Sequence, residues 1–103
     1  MNAAEAVAQY RKAASTLRRL RCWTGSPPRT KAAARRHKER IGAALANLRL
    51  MGLAEVEDRL REERRLLDSA YGTDEWEPDE AARKRSRAKR HQYRVRQLIK
   101  GVR

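Results

Sequence analysis

Apolar residues in this chain return at the period of an α-helix, and that rhythm bounds what it can fold into. Ala3, Val7, Tyr10, Ala14 and Leu17 recur at alternating steps of four and three, and Leu20 and Trp23 extend the stripe. A single apolar face of this kind buries against another helix. The spacing predicts a first helix over about Ala3–Trp23. Asn2 serves as its cap, and Glu5 three residues later suits the positive end of the helix dipole. Gly25, Pro27 and Pro28 then form a turn.

Thr30 is the expected cap of a second helix running to about Met51, with Ile41, Leu45 and Leu48 on one face. Continued in phase, that stripe would demand Gly52, Glu55 and Arg59; instead it restarts at Leu53, Val56, Leu60 and Leu67. Gly52 sits at the slip, so a turn or sharp kink and a third helix over about Ala54–Ala70 are expected, a continuous helix being the alternative. Tyr71–Glu77 reads as a polar connection. Pro78 followed by Asp79 and Glu80 signals a fourth helix to about Lys100, closed by Gly101.

Composition agrees with helix. Seventeen Ala, ten Leu and twenty Arg are good helix formers. Leu, Ile and Val number only 16 in 103 residues, with no Phe, and the net charge is +13, which sets the chain near the edge of the disordered class. The expected fold class is therefore all-α: a small helical bundle of three to four helices with a thin core and a basic C-terminal helix. A second copy of the chain is one way to complete such a core. The predicted division is a helical bundle over 1–71, an acidic linker over 72–77 and an Arg-rich helix over 78–103. Within that bundle the third helix is the expected core partner of the first two.

Charge is segregated along the chain. Residues 1–29 and 30–51 each carry +5, residues 52–82 carry −7, and residues 83–103 carry ten bases and no acid. A merely solvated surface mixes the signs; blocks of this kind mark an interaction surface. The run Arg83, Lys84, Arg85, Arg87, Lys89, Arg90, Arg94 and Arg96 is the leading candidate for contact with phosphate, because like charges four apart oppose a helix until a polyanion relieves them. Arg29, Lys31, Arg35, Arg36, Lys38 and Arg40 form a second basic surface. Choosing Arg over Lys, twenty to six, favours bidentate forks on phosphate and stacking on bases.

Glu80-Ala81-Ala82-Arg83 followed by Ser86-Arg87 resembles the DNA-contacting region of basic-leucine-zipper proteins over about a dozen residues. That family has Asn where Pro78 stands, places its Ser-Arg pair one residue earlier, and continues into leucine heptads that this chain lacks. The resemblance implies a shared physical solution, a basic helix with small residues that permit close approach to DNA, and not membership. A helix-turn-helix around Gly52 would make the third helix the groove reader, yet that helix bears Glu55, Glu57, Asp58, Glu62, Glu63 and Asp68, which phosphate repels.

Other features point away from catalysis. Cys22 is the sole cysteine, so no internal disulfide forms, and a reducing, cytoplasmic setting is expected. Next to Trp23 it reads as a small buried hydrophobe. His37 and His91 lie in separate basic stretches, each expected as a surface group near phosphate. No ligand cluster suggests a metal or cofactor. Residues 1–29 have some transit-peptide character, against which Glu5 and the scarcity of Ser weigh. No apolar run approaches membrane length. Trp76, flanked by Asp74, Glu75 and Glu77, is expected to cap the core; the second reading makes Trp76, Asp74 and Glu75 an anchor for a protein partner. The leading expectation is a bacterial or phage DNA- or RNA-binding protein of accessory, architectural or regulatory type. A protein-interaction module that inhibits or adapts a nucleic-acid enzyme, and a ribosome-associated RNA binder, are its rivals.

Overall fold

A computed structural model describes residues 2–21 and 28–102, save the side chains of residues 21 and 28–30. It consists of four helices: α1 (Ala3–Arg21), α2 (Pro28–Leu50), α3 (Ala54–Thr73) and α4 (Pro78–Ile99). No strand occurs among the described residues, and the all-α class holds. The predicted end of the first helix at Cys22–Trp23 and the turn at Gly25–Pro27 lie outside the described residues.

Local chemistry sets the boundaries. The Asn2 Oδ1 accepts from the Glu5 amide at 2.8 Å, while its Nδ2 donates to the Glu5 carboxylate at 3.0 Å, closing a reciprocal cap on α1. The second helix begins at Pro28, so Thr30 lies inside its first turn and is not its cap. Pro28 has no amide to leave unpaired there, and its fixed φ suits a first turn. Gly52, with φ of 76°, ends α2 in the left-handed conformation, its amide donating to the Arg49 carbonyl at 2.9 Å. The phase slip in the sequence is thus a true break. Pro78 opens α4 as expected, with Asp79 and Glu80 in the first turn.

The chain forms two compact units, Met1–Gly52 and Leu53–Arg103. In the first, α1 packs on α2; in the second, α3 packs on α4. This differs from the division expected at 71–78. Helix α3 runs on to Thr73 through the expected start of the linker, and its core partner is α4, not the first two helices. The reason is a seam that a count of large apolar residues misses. Ala81, Ala88 and Val95 repeat every seventh residue on α4 and are all fully buried. Against them α3 buries Val56, Leu60, Leu66 and Ala70, with Leu66 fully buried where Leu67 was expected and Leu67 half-buried.

Contacts along this hairpin establish its direction. Glu55 meets Arg94, Glu63 meets Gln92 and Ser69 meets Lys84, so partners fall on one helix as they rise on the other. The helices are antiparallel. In the first unit α1 buries Ala3, Ala6, Val7, Tyr10, Ala13, Ala14 and Leu17, and α2 buries Ile41, Ala44, Leu45 and Leu48. Eight of the eighteen buried apolar residues are alanine, so the helices rely on close approach more than on bulk. The core is thin, as composition demands.

Candidate nucleic-acid interface

The candidate cations divide into those the fold already engages and those it leaves to solvent. On α4, the Lys84 ammonium donates to the Ser69 hydroxyl at 2.8 Å, and the Arg85 guanidinium pairs with Asp74 at 2.7 Å. Arg94 reaches Glu55 at 3.3 Å, and Arg83 lies 3.5 Å from Glu80 one turn back. Four of the eight expected phosphate contacts on this helix are therefore already occupied. Three of them tie α4 to α3 or to the turn between them. His91 is likewise drawn into the hairpin, its Nδ1 accepting from Arg59 at 3.3 Å, and is not the phosphate-facing surface group expected.

Arg87, Lys89, Arg90 and Arg96 are exposed and have no ion-pair partner among the described residues. Arg83, Arg87, Arg90 and Arg94 recur at steps of four, three and four, so they share one face of α4, away from the buried Ala81–Ala88–Val95 seam. Exposed pairs such as Arg85–Asp74 and Arg94–Glu55 are worth roughly 0–1 kcal/mol each. A phosphate can exchange with such a carboxylate at little cost.

Folding α4 against the acidic α3 also changes where the charge resides. The second unit holds fourteen Lys and Arg against eleven acids, a net of +3, whereas the first holds twelve against two, a net of +10. Most of the positive field belongs to the hairpin that the linear sequence ranked second. Arg35, Arg36, Lys38 and Arg40 on α2 are all exposed and have no ion-pair partner among the described residues. Lys31 is exposed as well. Arg29 lies among the residues whose side chains are not described. The cause of the freedom is simple: Glu39 is the only acid in α2, and the packed face of α1 is apolar.

Two residues beside this basic surface escaped sequence reading. Gln9 and Lys12 of α1, with Ala13, face His37 and Arg40 of α2 across a cleft of about 320 Å³. His37 falls four residues before Ile41 on the packed stripe of α2, which carries its ring partly under α1. The burial, with Arg40 and Arg36 nearby, holds its pKa below the usual histidine value. The positional signal was present in the His37, Ile41, Ala44, Leu48 spacing, but a lone histidine among bases reads as a surface group.

Comparison with known protein families, curated proteins and solved structures gives no match. No described helix is long and apolar enough to cross a membrane. Among the described residues no group of His, Cys, Asp or Glu is placed to hold a metal ion.

Trp76 overturns the core expectation. It is 81% exposed, at the tip between α3 and α4, its amide donating to the Thr73 carbonyl at 3.2 Å. Asp74, Glu75 and Glu77 around it are exposed too. A hairpin tip can be built from a short polar turn alone, so nothing in the fold draws the indole inward.

Proposed function

We propose that this protein binds nucleic acid through exposed guanidinium and ammonium groups and acts as an accessory, architectural or regulatory factor, not as a catalyst. The observation that carries the reading is the eight-cation set Arg35, Arg36, Lys38, Arg40, Arg87, Lys89, Arg90 and Arg96, exposed and without ion-pair partners among the described residues. Leaving so many like charges unpaired on short helices opposes folding through self-repulsion. Phosphodiesters at a regular spacing relieve that repulsion and release counterions. Helix α2 leads the contact and the Arg87–Arg90 face of α4 adds to it. Arg83 and Arg94 are recruited when phosphate displaces their carboxylates.

Groups of this kind hold the backbone and do not read base edges, so binding discriminates weakly among sequences. Titration of the full chain with labelled duplex DNA and with RNA across salt concentration tests the proposal. Four phosphate contacts give a slope of log K against log salt of about −3.6 on B-DNA, and eight give about −7. No binding at low ionic strength, or binding indifferent to salt, overturns it.

A second reading rests on Trp76. An exposed indole ringed by Asp74, Glu75 and Glu77 suits docking on a basic, apolar-pocketed protein surface. In that reading the tip anchors a protein partner while the basic helices hold nucleic acid. Pull-down of a nucleic-acid enzyme that Trp76→Ala abolishes, with polynucleotide affinity retained, supports it; retention of the partner by that variant refutes it.

A further inference from the structure

The cleft between α1 and α2 is lined by two residues, Gln9 and His37, that each carry a buried polar atom without a hydrogen-bond partner among the described residues. The Gln9 Oε1 and the His37 Nδ1 are both sealed from solvent, and neither has a hydrogen-bond partner. A buried polar atom left unsatisfied costs roughly 1–3 kcal/mol, so two beside one cleft favour a rearrangement that gives them partners there. Both residues line the same space, with Lys12 and Arg40 beside them. The two cations decide what the occupant is. A metal ion or an ammonium would meet Lys12 and Arg40 as like charges, whereas an anion is attracted by both.

We infer that this cleft is a site for one phosphoryl group, bound by the Lys12 and Arg40 charges and hydrogen-bonded by the side chains of Gln9 and His37. The inference rests on the nucleic-acid reading for the source of that group, a backbone phosphodiester. A free phosphate ester shares the chemistry. Both positions are closed to a water-sized sphere in the free protein, so on binding the Gln9 and His37 side chains rotate toward the cleft, Gln9 presenting its NH₂ and His37 its Nδ1–H to phosphate oxygen. A volume of about 320 Å³ suffices for a phosphate and its attached sugar. The site also gives the first hairpin a fixed register on the strand, because it holds one phosphate in a defined place where the surface cations hold theirs loosely.

Occupancy reverses the electrostatics at His37. In the free protein the charged groups that line its cleft or lower its pKa are cations: Lys12 from α1, and Arg36 and Arg40 from its own helix. Burial acts in the same direction as their charge and favours the neutral ring. A phosphate in the cleft interposes an opposite charge within contact distance, which raises the imidazole pKa. Binding therefore takes up a proton.

The test is the titration of the His37 ring by NMR in the full-length chain, with His91→Gln removing the other histidine signal. It is run alone, with inorganic phosphate, and with a short single-stranded oligonucleotide. The expected result is a rise in the His37 pKa with the oligonucleotide and a smaller rise, or none, with inorganic phosphate. Equal rises with both assign the cleft to a free phosphate ester and uphold the shared chemistry. No movement with either overturns the site. If His37 stays still while polynucleotide binds with a steep salt slope, the cleft falls and the nucleic-acid reading stands. If inorganic phosphate moves His37 while polynucleotide fails to bind, the converse holds. Lys12 is exposed, so Lys12→Ala folds normally; it is expected to lower oligonucleotide affinity about tenfold, where Arg19→Ala on the same helix changes it no more than twofold.

Discussion

Substituting Ala88 by Leu probes the packing of α4 on α3, on which the assignment of free and engaged cations depends. Ala88 is 0% exposed, midway along the Ala81–Ala88–Val95 seam, so the three added carbons have no space to enter without moving a helix. Overpacking of a tight core costs about 1–3 kcal/mol. At about 4–8 °C per kcal/mol for a domain of this size, melting followed by circular dichroism should fall by roughly 5–20 °C. The control is Ala82→Leu, one residue past the seam residue Ala81, where the side chain is exposed. There Leu replaces Ala at nearly equal helix propensity, and the melting temperature should move by only about 2 °C, well under 1 kcal/mol. A solitary basic helix would tolerate the two substitutions alike. Equal, small effects would therefore refute the hairpin and return Lys84, Arg85 and Arg94 to the free set.

Other consequences are as direct. Gly52→Ala costs about 1–2 kcal/mol through its positive φ alone, because a Cβ there meets nothing within 4 Å; denaturant titration measures it, and a neutral result contradicts the left-handed cap. Asn2→Ala removes the reciprocal cap of α1 and costs about 1 kcal/mol in the same assay. The lowered pKa of His37 means that, between it and the ordinary value of 6.5, the unfolded chain binds more protons than the folded one. His37 therefore makes stability rise with pH through that window, and His37→Leu should flatten the slope; an unchanged slope would assign it elsewhere. Trp76→Ala should leave stability within about 0.5 kcal/mol, since the indole is 81% exposed; a larger loss would return it to the core.

Local signals were the most legible part of the chain. Asn2 with Glu5, Gly52 at the phase slip, and Pro78 ahead of two acids each act through nearest neighbours, and each stands where the sequence puts it. Pairing was less legible. Leu53, Val56, Leu60 and Leu67 mark a face but not its partner, and an α4 seam made of alanines carries almost no hydropathy. For the same reason the site was read in part. The cations could be listed from the sequence. Their engagement could not, because it depends on Asp74, Glu55 and Ser69 arriving beside Arg85, Arg94 and Lys84 only once the hairpin forms. The cleft at Gln9 and His37 needs α1 and α2 side by side, and no spacing within either helix announces it.

The most direct measurement compares two quadruple variants in a salt-resolved anisotropy titration with labelled duplex DNA. One replaces Arg35, Arg36, Lys38 and Arg40 by Ala, and the other replaces Arg87, Lys89, Arg90 and Arg96. Loss of the α2 set should lower the magnitude of the salt slope by about 3.6 and weaken binding more than loss of the α4 set, since the first hairpin carries +10 and the second +3. An unchanged slope in the α2 variant, with binding abolished by the α4 substitutions alone, would contradict the account.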